Sequence, residues 1–96
     1  MSILSRFRRK KTEDEAARTA RLRRTGRIAE GIIIDISDDE SGNPAHIFYS
    51  YSIGGIDYES SQPLDEEQRS QPANYAPGTR VVIRYDPHQP GNSVVV

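Results

Sequence analysis

Two histidines, a run of adjacent carboxylates and a basic stretch are the residues here whose types could do chemistry. His46 and His88 are the only imidazoles, and there is no cysteine. A metal site needs a third ligand, and Asp86 is the only near candidate beside His88. Surface and turn positions explain both histidines more simply, so no metal and no cofactor is expected. Asp38, Asp39 and Glu40 carry enough charge for calcium. They are adjacent, however, whereas a calcium loop spreads its ligands over a longer loop between two helices. Asp57 and Glu59 share a face at i,i+2 on a strand side that reads as solvent. No Ser-His-Asp order with supporting context and no phosphate-cradling glycine loop is present. These residues predict a protein that is not an enzyme.

The basic residues are distributed unevenly. Residues 1–27 hold ten Lys and Arg against three acidic side chains, a charge of +7. Residues 28–96 hold three basic and eleven acidic, a charge of −8, so the total is only −1. The pattern is a basic arm on an acidic body. Arg6, Arg8, Arg9, Lys10 and Lys11, with Arg18, Arg21, Arg23 and Arg24 further on, are the candidate contacts for an anion or a partner. Ile3, Leu4 and Phe7 flank the first cluster, so attachment to an anionic membrane surface is one expectation. Weak nucleic-acid binding through the same arm is another, and it would fade steeply with salt. The apolar run of a signal peptide is not readable. Nor does any segment approach the roughly 18–20 apolar residues of a membrane span. A cytoplasmic protein is expected, with peripheral attachment at the inner membrane as the alternative.

The elements that position these residues follow from local pattern. Residues 1–11 read as a basic flexible arm and 12–26 as a short helix. Thr12 and Glu15 have the spacing of a capping box, and Glu13, Asp14 and Glu15 fill the first turn. Arg21, Arg23 and Arg24 gather at the other end, and Gly26 terminates it. Ala16 and Ala20 make a poor apolar face, with Leu22 nearly alone. A helix of about 13 residues is marginal by itself, so it is expected to be detached, frayed, or held by a partner or another copy.

From Arg27 the period changes to that of strands, and residues 27–96 read as one β-barrel domain. Ile32, Ile33, Ile34 and Ile36 mark the first strand, with Asp35 facing away from Ile34 and Ile36. Residues 37–44 are an exposed loop. Ala45, Ile47, Tyr49, Tyr51 and Ile53 then alternate with His46, Phe48, Ser50 and Ser52, the period of a half-buried strand. Gly54-Gly55 supplies a two-residue hairpin turn. It would place Ile53 opposite Ile56, Tyr51 opposite Tyr58 and Tyr49 opposite Ser60, with Asp57 and Glu59 outward. Residues 62–78 read as a long loop with one helical turn at Asp65–Arg69. Val81, Ile83 and Tyr85 share one face of a fourth strand. Asp86-Pro87 starts a turn through carboxylate bonds to backbone N–H groups, and residues 93–96 form a fifth strand.

Five short antiparallel strands after an isolated helix predict an all-β fold, a small five-stranded antiparallel barrel that is SH3-like or OB-like. The expected core is Ile32, Ile34, Ile36, Ile47, Tyr49, Tyr51, Ile53, Ile56, Tyr58, Val81, Ile83, Tyr85 and Val94. The tyrosines read as core rather than as a platform for bases.

Three segments resemble a bacterial family, domain of unknown function 3592, over about residues 26–96. They are Gly31-Ile32-Ile33-Ile34-Asp35, the hairpin from Tyr49 to Tyr58, and the stretch from Tyr75 to Pro90. The hairpin looks like Y-x-Y-x-V-x-G-x-x-Y. The third looks like Y-x-x-G-x-x-V-x-V-x-Y-D-P-x-x-P, followed by a Ser and a short apolar strand, here Ser93-Val94. The resemblance implies a fold and brings no active site. Family members often carry transmembrane helices around the domain. The expectation is therefore a non-enzymatic protein-interaction or structural module, self-associating or bound to another protein. Phe48, the Val94–Val96 edge and the basic arm are its expected contacts, and no small-molecule substrate is evident.

Overall fold

The computed structural model describes residues 14–96. The arm residues Arg6, Arg8, Arg9, Lys10 and Lys11, and the first member of the expected capping box, Thr12, lie outside them. Helix α1 spans Glu15–Thr25 and is followed by strands β1 (Arg27–Asp38), β2 (Pro44–Ile53) and β3 (Ile56–Pro63). A single turn, α2 (Glu66–Arg69), and a 3-10 turn (Pro72–Tyr75) lead to β4 (Arg80–Asp86) and β5 (Gln89–Val95). The strands form one sheet in the order β3-β2-β1-β4-β5, and every pair is antiparallel. The sheet curls until its two ends approach, giving a nearly closed barrel preceded by a helix.

The β2–β3 hairpin has the register its residues predict. Ile53 faces Ile56, Tyr51 faces Tyr58 and Tyr49 faces Ser60. Gly54 and Gly55 have φ of 60° and 82°, the left-handed values a tight hairpin turn demands and side chains resist. The turn at Asp65–Arg69 also forms, closed by a reciprocal pair between Asp65 and Gln68. Asp39 organises the acidic loop, its Oδ1 accepting from the N–H groups of Ser41 and Asn43 at 2.9 and 3.0 Å. That is the Asx chemistry of a turn.

β1 differs from expectation. Ile33 is fully buried, while Ile32 and Ile34 are 43% and 44% exposed. The cause is a β-bulge. Ile33 pairs with Tyr49 and Asp35 with Phe48, so Ile34 is the extra residue. Two residues of the bulged strand then oppose one of its partner. Ile34 and Asp35 are both exposed rather than opposed. Beyond the bulge the parity along the chain is inverted, so the even-numbered Ile36 packs against the core. Ile56 also lies outside the core, exposed at the hairpin turn. The core is Ile33, Ile47, Tyr49, Tyr51, Leu64, Ile83 and Val95, with Ala29, Ile36, Ile53, Tyr58, Tyr75 and Val81 packed on it. Leu64 was hidden in a segment that reads as loop, and Val95 lies in the expected fifth strand, where Val94 rather than Val95 was placed in the core. β3 continues into the expected loop, where Gln62 and Gln68 are buried as well.

Helix α1 docks on the barrel, against the expectation of a detached element. Its N-cap is Asp14, whose Oδ1 accepts from Ala17 N–H at 2.7 Å. Leu22 is fully buried. Arg18 donates to Asn92 Oδ1 at 2.6 Å and to the Ser93 carbonyl at 2.9 Å. Arg84 donates to the Gly26 carbonyl at 3.0 Å, and Arg21 lies 3.6 Å from Asp86. Val94 pairs with Arg84 across the β4–β5 ladder, so it shares the face that carries the helix, and it too is buried. One leucine, one valine and a set of polar bonds replace the broad apolar stripe that a docked helix normally shows. Gly26 fits for lack of space: a Cβ there would lie 2.6 Å from the Leu22 carbonyl oxygen.

Candidate functional site

The seam between β3 and β5 is closed by side chains. No backbone ladder joins the two strands among the described residues. The buried Gln62 amide takes its place, its Oε1 accepting from Val95 N–H at 2.8 Å and its Nε2 reaching the Val95 carbonyl at 3.5 Å. Gln68 Nε2 approaches the same carbonyl at 3.5 Å. Further along, Tyr49 shares a 2.8 Å hydrogen bond with Ser93 Oγ, and Tyr51 donates to the Pro90 carbonyl at 2.6 Å. The rings of Tyr49, Tyr51 and Tyr58 stack in a row at 5.9 and 5.5 Å. Burial pushes the Tyr51 hydroxyl above its ordinary pKa, and burial does the same at Tyr75. These hydroxyls are spent on the fold, and the rings of Tyr49 and Tyr51 are too buried to stack on bases.

The histidines sit where their sequence positions suggest. His88 is exposed in the β4–β5 turn, and its backbone N–H donates to Asp86 Oδ1 at 2.8 Å. That bond holds the Asp86 carboxyl below the usual carboxylate value. His46 lies 5.6 Å from Phe48, ring to ring, on the outer face of β2. No group of three or more metal-ligating side chains occurs among the described residues.

The candidate contact residues separate into two sets. Arg18 and Arg21 are engaged inside the fold through the bonds given above. Arg23 and Arg24 are exposed, and Arg23 helps line an open cleft of about 570 Å³ between α1 and the end of β3, with Pro63, Leu64 and Asp65. Phe48 is 36% exposed, as its place in the alternation predicts. The Val94–Val96 edge is not available as a contact, because Val94 and Val95 are buried and only Val96 is exposed.

Phe48 does not stand alone. The bulge turns Ile34 out beside it, and Ile32 lies two residues before on the same outer face. Carboxylates surround this strip. Glu30, Asp57 and Glu59 line one depression with Ile32, Ser50 and Ser52, about 450 Å³ in volume. Asp35 and Glu59 line the next with Ile34, Phe48, Ser60 and Ser61, about 410 Å³. Glu59 lines both depressions, with Ile32 in the first and Ile34 in the second, so the two adjoin as one shallow groove across β1, β2 and β3. Arg80 reaches Glu30 at 3.8 Å, and Ser52 donates to Asp57. Sequence reasoning found Phe48 as a contact and placed Asp57 and Glu59 outward only as solubilising side chains, and it missed Ile32 and Ile34 because it placed both in the core. The missed signal is the bulge, which no residue type in an unbroken isoleucine run announces.

A nearly closed antiparallel barrel, its seam sealed by glutamine and tyrosine and its outer face part apolar and part acidic, defines a small β-barrel domain without a constellation for catalysis among the described residues. The chain belongs to the family described as domain of unknown function (DUF3592), whose pattern matches residues 24–96. The match takes in the barrel and only the last two residues of α1. No curated protein and no solved structure matches the chain. No helix among the described residues is long and apolar enough to cross a membrane.

Proposed function

We propose that this chain is a non-enzymatic protein-interaction module, an OB-like barrel whose outer face takes a peptide segment that is both basic and apolar. The OB-like alternative is favoured over the SH3-like one by strand order. Antiparallel pairing throughout β3-β2-β1-β4-β5 makes β3 and β5 run the same way where the sheet ends meet. A five-stranded, partly open barrel of that kind characteristically binds oligonucleotides and oligosaccharides on its second and third strands, so the analogy supports the place of a contact face and not its ligand. That is an argument from fold analogy. The observation that carries the reading is the strip Ile32, Ile34 and Phe48 under the rim of Glu30, Asp35, Asp57 and Glu59. Four carboxylates repel a phosphate backbone and attract Lys and Arg, while the exposed apolar floor rewards side chains that leave water.

The test is a backbone NMR titration of the full chain with a short synthetic peptide alternating Arg and Leu. Parallel titrations use a mixed-sequence oligonucleotide and anionic vesicles. Shifts at Ile34, Phe48 and Glu59 with the peptide, abolished by Phe48→Ser, are expected. Shifts with only the oligonucleotide or only the vesicles would replace this reading with the corresponding alternative.

A further inference from the structure

The start of helix α1, where the described residues begin, lies beside the end of β3. Glu15 and Ala16 of α1 line the same cleft as Pro63, at the end of β3. Ser61, two residues back along β3, lines the groove beside Phe48 and Ile34. From Pro63 to Asp57 the outer row of β3 runs about 20 Å, at roughly 3.3 Å per residue. Residues 3–13 span at most about 36–40 Å when extended, which exceeds the length of that row. Their chemistry is complementary to it. Residues 1–13 carry five basic side chains against one acidic, together with Ile3, Leu4 and Phe7. The groove offers four carboxylates over an apolar floor.

We infer that residues 3–11 of this chain are themselves an occupant of the groove, docking in cis along β3 with Phe7 or its neighbours over Phe48 and Ile34. This rests on the reading of the outer face given above and names the segment it holds. A tether of two or three residues sets a high effective concentration, which favours the chain's own arm over that of a second copy. The face is then self-covered, and any external basic segment must compete with the arm for it.

The full chain has no cysteine, so a nitroxide can be placed at Ser5→Cys alone. Selective loss of the amide signals of Ile34, Phe48, Glu59 and Ser61 relative to His88, unchanged on dilution, is expected. The loss should vanish in a full-length chain with Arg6, Arg8, Arg9, Lys10 and Lys11 replaced by Gln. It should also weaken between about 0.1 and 1 M salt, as the screening length falls from roughly 10 to 3 Å. No selective loss, or loss that persists in the Gln-substituted chain, would overturn the inference. So would loss seen only when spin-labelled chain is mixed with separately isotope-labelled chain, which would mean exchange between copies. Adding a free peptide of residues 2–12 to the Gln-substituted chain separates the two levels. Binding at Phe48 without docking of the tethered arm leaves the groove reading standing and removes only this inference. No binding of either peptide removes both.

Discussion

Ile33 and Ile34 are consecutive in β1, yet one is sealed in the barrel and the other faces water. The inner face is closed by shape, with isoleucine, valine and tyrosine filling it and two glutamines finishing the seam. The outer face presents isoleucine as well, set among carboxylates and serines. Residue type does not distinguish the two faces, because a bulge assigns them. A burial-driven face tolerates little change in volume, whereas a face kept open for contact tolerates much change in stability terms and little in binding terms.

The sharpest way to break this comparison is to truncate both isoleucines. Ile33→Ala is expected to cost about 3–4 kcal/mol of unfolding free energy by the usual large-to-small penalty, and Ile34→Ala less than about 1 kcal/mol. Urea denaturation of the two variants checks it, and equal costs would mean the bulge is misplaced. Leu22→Ala tests whether α1 belongs to the inner or the outer regime. About 2–3 kcal/mol is expected if the helix is truly docked, with loss of the Arg18 contacts visible as shifts at Asn92 and Ser93.

The seam comes next. Gln62→Ala strands the Val95 N–H and should cost about 1–3 kcal/mol. Glu59→Gln, only three residues away on the outer face, should move stability by no more than about 0.5 kcal/mol while weakening a basic peptide. Denaturant midpoints and peptide titrations on the same two variants separate those effects. The smallest effect is in acid. The folded Asp86 carboxyl titrates below its ordinary value, chiefly because of the His88 backbone N–H. Its contribution is therefore complete above the unfolded value and is lost as pH falls through the folded one. The stability gap between the native chain and Asp86→Asn should be larger at about pH 6 than at about pH 2, read from urea curves.

How much of this was legible depends on whether residue pattern and backbone geometry coincide. In the β2–β3 hairpin they do: strict alternation meets a Gly-Gly turn, and the register follows residue by residue. In β1 four neighbouring isoleucines carry no parity, and the bulge that assigns their faces is a property of pairing with β2. Gln62 and Gln68 look like loop residues because their polarity is visible and their partner, Val95, is distant in the chain. The docking of α1 was hidden for a related reason. Arg18 reads as a surface charge until Asn92 and the Ser93 carbonyl come under it. The candidate groove was half legible, with Phe48, Asp57 and Glu59 apparent from alternation and Ile32 and Ile34 assigned to the wrong side.

A barrel whose last gap is bridged by an amide side chain has two kinds of opening. Breathing of a strand ladder must break several backbone bonds together, and the amides within it exchange with solvent as a cooperative group. The Val95 N–H is held by one rotatable side chain, so a single rotamer flip of Gln62 can expose it while all four ladders stay intact. Deuterium should therefore enter at Val95 sooner than at Ile83, its partner across β4, and the interval between the two measures how independently the seam opens.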